Sequence, residues 1–398
     1  MRESTTLSKP NNNDVFPMRE KPCAGSGFPV NRSASRLTVA MALIVFCYLF
    51  YTFYLNGDGN ATQALIFMLL RLTLCLLAVT LVFVNMRLKE QLLWILLVAS
   101  FGVSYIIHSS GLEYFCNTIV FLGTVSVLPK VRLKRVALDV LTVIYVAFSV
   151  FVLALYALKP GKVNSNSAAQ VCFCFTCLIF SLTMCSKQKL VRRTLYVLAL
   201  FTTALCFTYK SRATLLGLLV LYFALVFGLY KKRKFARRAK FIFASVFIVS
   251  ILFAYFYAVT LYNMVGDKNI TIFGKSLYSG RAILWRTAFD VIKTHFAFGV
   301  GNSLVVDGSY AGEEVINLHN QTIGYAVVFG VPFTVAFIWL FSLAASRLVK
   351  SGGRFSTLIL LSFSVVAWFE TCMYSTTALF VSILIIIVYQ TEIYHNVR

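Results

Sequence analysis

Residues 213–261 read ATLLGLLVLYFALVFGLY, then KKRKFARRAK, then FIFASVFIVSILFAYFYAVTL. An apolar block from Ala213 to Tyr230 is followed by seven Lys or Arg between Lys231 and Lys240, then by a second apolar block ending at Leu261. As helix at about 1.5 Å per residue, each block spans roughly 30 Å, the thickness of bilayer hydrocarbon. Neither block alternates apolar and polar residues, as the strands of a membrane barrel do. The pattern is helix, basic turn, helix across a membrane.

The same alternation fills the chain. Of its 398 residues 59% are hydrophobic and 13% are charged, against about 25% charged in a soluble domain. The apolar blocks are Leu37–Leu55, Thr62–Val84, Gln91–Ile107, Glu113–Leu128, Arg135–Ala157 and Ala168–Cys185, then Arg193–Thr208, Ala213–Tyr230, Phe241–Leu261, Gln321–Ser346, Ser356–Phe369 and Thr376–Tyr389. The last two come from one apolar stretch, Gly353–Thr391, too long for a single span and split near Glu370–Ser375. The expected fold is all-α: a polytopic membrane protein with about twelve transmembrane helices and one large external loop containing an amphipathic helix. The expected organisation is a disordered cytoplasmic tail over 1–36, nine spans over 37–261, an external loop over 262–320, three spans over 321–391 and a short cytoplasmic tail over 392–398.

The net charge of +23 invites a polyanion partner, but its distribution says otherwise. With a cytoplasmic N-terminus, 27 of the 37 Lys and Arg fall on the cytoplasmic side, nine fall outside, and Arg71 lies within a span. That bias orients membrane proteins and accounts for the charge without nucleic acid. The ten cysteines are scattered through apolar blocks. Cys172, Cys174 and Cys177 form a CxCxxC with no His or acid beside it, so they read as small hydrophobes rather than metal ligands.

One connection is unlike the rest: about 59 residues from Tyr262 to Asn320, with five basic and five acidic side chains. Loops of that length are usually functional. Within it Trp285, Phe289, Ile292 and Phe296 recur at helical spacing, which predicts an amphipathic helix over Arg281–Phe298, lying on the bilayer surface or capping a cavity. Arg281 in the first turn opposes the helix dipole unless an anion sits there, and helix amides plus a guanidinium fork make a phosphate site. The alternative is an arginine reaching lipid head groups. Arg212, in the short connection Tyr209-Lys210-Ser211-Arg212, is either an interfacial anchor or a second cation on the same phosphate. His319, where the loop re-enters the membrane, is either structural or a proton acceptor.

The stretch Ser279-Gly280-Arg281, Trp285, Gly299-Val300-Gly301-Asn302, His319-Asn320 and Gly330 resembles the signature region of the O-antigen ligase/O-antigen polymerase (WaaL/Wzy) family, and Ser211-Arg212 fits its pattern too. The resemblance covers roughly 208–335. It implies a glycosyltransferase of the bacterial cytoplasmic membrane that needs no metal or cofactor and takes oligosaccharide from a polyprenyl-diphosphate (undecaprenyl) donor. It implies that Arg212 and Arg281 hold the diphosphate and that His319 activates or orients the acceptor hydroxyl. Lys210, Ser279, Gly280, Trp285, Gly299, Gly301, Asn302 and Asn320 would line the substrate. The implied partners are the lipid-linked donor, a glycan acceptor, the bilayer and, for a polymerase, a chain-length regulator. Two guanidiniums neutralising a diphosphate leaving group give this assignment a physical basis.

Polymerase and ligase share that donor and chemistry. Polymerase is favoured because it occurs with every envelope type, whereas ligation to lipid A-core needs an outer membrane. Transferases that use polyprenyl-monophosphate sugars need acids in the first external loop, and Asn56–Ala61 holds only Asp58. A transporter or flippase is the non-enzyme alternative. Such proteins place charges inside spans, and here only Arg71 is mid-span, with Asp139 and Glu370 near span ends.

Overall fold

The computed structural model describes residues 32–55, 61–86, 88–159, 164–229, 233–261, 271–272, 275–276, 281–302, 318–373 and 375–397. Among these residues the chain is a helical bundle, with ten helices long and apolar enough to cross a membrane. They are α1 (Arg32–Leu55), α2 (Ala61–Asn85), α3 (Leu88–His108), α4 (Leu112–Val127), α5 (Arg135–Leu158), α6 (Ser165–Cys185), α7 (Lys189–Thr208), α9 (Arg233–Tyr255), α12 (Val331–Lys350) and α14 (Thr376–Val397). Two shorter apolar helices, α8 (Arg212–Val226) and α13 (Arg354–Val366), complete the twelve expected blocks. The remaining elements are a 3-10 turn (Leu128–Lys130), a π-helical turn that continues α9 (Phe256–Leu261), α10 (Arg281–Thr294), α11 (Gln321–Phe329) and a two-residue antiparallel pair, β1 (Thr271–Ile272) with β2 (Lys275–Ser276), too small to alter the all-α class.

Apolar composition makes these segments helical, because hydrocarbon offers the backbone no partner except itself. The polar residues inside the spans obey the same constraint. Thr118, Thr124, Thr142, Ser149, Thr176 and Thr183 each donate their hydroxyl to the carbonyl four residues earlier. Arg71 on α2 is met by Glu113 at 2.9 Å and donates to the Tyr48 hydroxyl at 2.8 Å. Cys172, Cys174 and Cys177 are buried on α6, where the Cys172 thiol donates to the Thr202 carbonyl.

Helices α4, α6 and α14 form the interior, and the run Ile383–Tyr389 of α14 is buried on every face. Large apolar side chains stay exposed on α2, α3, α7 and α9, as on helices facing lipid. At the basic end, Glu392 of α14 accepts from the amides of Phe355 and Ser356 and closes the start of α13. Arg347 of α12 pairs there with Glu90 of α3.

The expected single span Gln321–Ser346 is two helices. Tyr325 and Phe337 lie twelve residues apart, about 18 Å along one straight helix, yet their ring centroids are 4.5 Å apart. The chain therefore doubles back at Gly330, whose φ of +87° is open to glycine and costly for other residues. Pro332 follows in the first turn of α12. The short helix α11 is thus folded against α12 and does not cross the bundle.

The other two short helices meet side by side. Gly217 of α8 packs on Ser362 and Val366 of α13, so α8 begins where α13 ends. At about 22 and 20 Å, both are shorter than bilayer hydrocarbon. Together with the foot of α11 they bring several chain ends to one level inside the bundle.

Candidate functional site

Glu370 follows α13 and has a buried side chain, 7% exposed. Its Oε1 lies 3.5 Å from the Arg281 guanidinium and accepts from Asn166 Nδ2 at 3.2 Å. Its Oε2 lies 3.3 Å from His319 Nδ1. One carboxylate thus joins the first residue of α10, the start of α6 and the segment before α11. A buried carboxylate is costly unless charges and hydrogen bonds surround it, and this one has both.

Arg281 opens α10 against the helix dipole, and the carboxylate of Glu370 is the anion that offsets it. The guanidinium also lies over the Phe369 ring, 6.0 Å from its centroid. Its side chain is 17% exposed and that of His319 31%, so both keep part of their surface accessible.

His319 sits in the left-handed region at φ +50°, a conformation costing a non-glycine residue about 1 kcal/mol or more. The flanking residues hold it there. Trp285 Nε1 donates to the Leu318 carbonyl at 2.7 Å. Asn320 is fully buried: its Oδ1 accepts from the amides of Thr322 and Ile323, capping α11, and its Nδ2 donates to Ser250 Oγ and the Trp368 carbonyl. The Gln321 amide donates to the Ala367 carbonyl at 2.9 Å. The segment before α11 is therefore sewn to the residues immediately before Glu370.

The expected site residues divide. Arg281 and His319 come together at Glu370. Arg212 starts α8, beside the end of α13 that leads to Glu370, and is half-buried. Lys210 is exposed in the turn before it, at φ +52°. Ser279 and Gly280 lie outside the described residues.

Four other positions expected to line the substrate make packing or backbone contacts. Trp285 is buried against Phe253 and Tyr257 and holds the backbone before His319. The helix carrying it packs on the last turn of α9 and the π-helical segment Phe256–Leu261 that follows, ends at Thr294 rather than Phe298, and leaves Phe296 exposed in the turn beyond. Gly299 and Gly301 lie at the far end of α11 from His319, where the amides of Val300 and Gly301 donate to Val327 and Val328. Both have positive φ; an added Cβ would overlap the Val327 carbonyl at Gly299 and Ser110 Oγ at Gly301. Asn302 is tied there through its amide to Ser110 Oγ at 3.0 Å. These residues let the turn after α10 approach α11 and α3 closely.

Glu370 and Asn166 are the residues that the motifs do not mark. Glu370 stands in an apolar neighbourhood, Trp368-Phe369-Glu370-Thr371-Cys372, and an acid so placed requires partners. Asn166 carries no comparable signal.

Among the described residues no group of three or more His, Cys, Asp or Glu is arranged to hold a metal ion. The cluster offers a half-buried imidazole beside a carboxylate and a guanidinium at a helix start. Such an arrangement can hold an anion and accept a proton.

No curated protein matches this chain. Residues 195–338 match the O-antigen ligase family. The match contains most of α7, all of α8 to α11 and the start of α12, so Arg212, Arg281 and His319 lie inside it, while Asn166 and Glu370 lie outside. Within this multi-pass membrane protein, the stretch 195–338 is what is similar to the O-antigen ligase family.

Proposed function

We propose that the protein is a glycosyltransferase that moves oligosaccharide from a polyprenyl-diphosphate donor to a glycan hydroxyl on the external face of the bacterial cytoplasmic membrane. The observation that carries this reading is the meeting of Arg281 and His319, both within the stretch that matches the O-antigen ligase family, at one buried carboxylate. Arg281 and Arg212 hold the diphosphate, and their charge offsets what builds on the leaving group as the sugar–phosphate bond breaks. His319 takes the proton of the acceptor hydroxyl, which is a poor nucleophile without a base. The orientation follows from the charge map, with 27 of 37 Lys and Arg on the side of both termini.

With a second lipid-linked unit as acceptor, the same chemistry is a polymerase making O-antigen, capsule or exopolysaccharide. The matched family is described as O-antigen ligase, so joining the glycan to lipid A-core is the second reading. Purified protein in liposomes, given undecaprenyl-diphosphate oligosaccharide alone, is expected to release undecaprenyl diphosphate and form a ladder of longer glycans. Product formed only after lipid A-core is added assigns the ligase. No release of undecaprenyl diphosphate with either acceptor overturns the proposal.

A membrane-impermeant maleimide tests the orientation on Asp307→Cys, with the unsubstituted protein as control. Labelling is expected in intact cells, and labelling only in inverted vesicles contradicts the assignment.

A further inference from the structure

Glu370 lies outside the stretch that matches the family, and none of the motifs includes it. Both of its oxygens are engaged: Oε1 with Arg281 and Asn166, Oε2 with His319 Nδ1. Backbone bonds fix the distance between Glu370 and His319. The Gln321 amide on the Ala367 carbonyl and the Asn320 side chain on the Trp368 carbonyl tie together two segments separated by about fifty positions. Those bonds set where the His319 backbone lies but not which way its ring is turned or which nitrogen carries the proton.

We propose that Glu370 is the positioning residue for His319: it accepts the Nδ1–H, leaves the lone pair on Nε2, and steadies the imidazolium formed during transfer. The proposal rests on the transferase reading above. A carboxylate on one ring nitrogen selects the tautomer and raises the basicity of the other. In the transfer step the acceptor oxygen bonds to the donor's anomeric carbon as the bond from that carbon to the diphosphate oxygen breaks. The bonding pair leaves with the lipid diphosphate, and the hydroxyl proton moves to His319 Nε2 and then to water.

Glu370 also competes for a cation. Its Oε1 lies 3.5 Å from the guanidinium that the donor's diphosphate requires. Removing the negative charge therefore slows the proton step while releasing Arg281 to the donor. A residue that only supports the fold has the opposite signature, because its loss weakens donor binding along with everything else.

The experiment measures kcat and donor KM in liposomes, with the undecaprenyl-diphosphate oligosaccharide that the unsubstituted protein turns over. The variants are Glu370→Gln, Glu370→Asp, His319→Ala and the double variant His319→Ala/Glu370→Gln. Glu370→Gln is expected to lower kcat at least tenfold, the usual scale for losing such a partner, with donor KM unchanged or lower. Glu370→Asp, which keeps the charge, is expected to recover part of the loss. The double variant is expected to be no slower than His319→Ala, because Glu370 acts through His319.

A Glu370→Gln protein with unchanged kcat overturns the proposal. So does a double variant a further tenfold below His319→Ala, or a raised KM with kcat retained. If Glu370→Gln fails to insert, Glu370→Asp decides alone: a lowered kcat at unchanged KM supports the role, and unchanged kcat overturns it. Full activity in His319→Ala removes the proton role of His319 and overturns the proposal with it, whereas an unsubstituted protein that releases no undecaprenyl diphosphate defeats the transferase reading itself.

Discussion

Trp285 of α10 donates its indole N–H to the carbonyl of Leu318 at 2.7 Å, across 33 positions of sequence. The bond joins the amphipathic helix of the long loop to the residue immediately before His319. The ring is buried against Phe253 and Tyr257, so the donor is fixed from behind by aromatic packing.

Trp285→Phe keeps much of that packing and removes the N–H. A buried carbonyl left without its donor costs about 1–3 kcal/mol. The variant is expected to insert normally, unfold a few degrees lower in detergent, and turn over several-fold more slowly because the backbone at His319 loosens. Thermal unfolding and transfer rate, measured on the same preparation, check both halves. Wild-type values for both would show that the bond is incidental.

Gly330 carries the fold-back between α11 and α12. At φ +87° an added Cβ would overlap the Ala297 carbonyl. Gly330→Ala is therefore expected to lose at least about 1 kcal/mol from the left-handed backbone alone, and more from the overlap. Gly102, on α3 with nothing within 4 Å of a built Cβ, is the matched control. Gly102→Ala is expected to be neutral or slightly stabilising. The yield of monodisperse protein in detergent separates the two.

Much of the fold was legible because each span is a continuous apolar block bounded by basic clusters. The split within Gly353–Thr391 was legible from length alone, and α13 and α14 fall on either side of it. The break at Gly330 was not, because Gln321–Ser346 is apolar throughout and hydropathy carries no directional information. Only Gly330 and Pro332 hint at it. At the site, Arg281 and His319 were legible as residue types in unusual places. Glu370 reads in the sequence only as an acid near a span end, because its pairing with residues far away in sequence is a property of the packed bundle. Trp285, Gly299 and Gly301 were legible as special positions. Their expected link to substrate rests on motif membership, and the geometry shows the packing that each of them makes.

Arg281 and Arg286 share α10 but not its environment. Arg281 meets Glu370 and is largely covered, whereas Arg286 is exposed. Lysine cannot reproduce the bidentate fork on a diphosphate. Arg281→Lys is expected to weaken donor binding and lower transfer at least tenfold while still inserting, and Arg286→Lys is expected to stay within twofold of wild type. Equal losses in the two variants would make Arg281 an interfacial anchor.

The most direct test of the site is His319→Ala, with turnover and donor binding measured side by side. Arg212 and Arg281 carry donor binding in this account, and His319 carries the proton. Binding of undecaprenyl diphosphate is expected to remain within about threefold of wild type, while turnover falls by about 10²–10⁴-fold, the usual contribution of a general base. A His319→Ala protein that keeps a third or more of its rate contradicts the account.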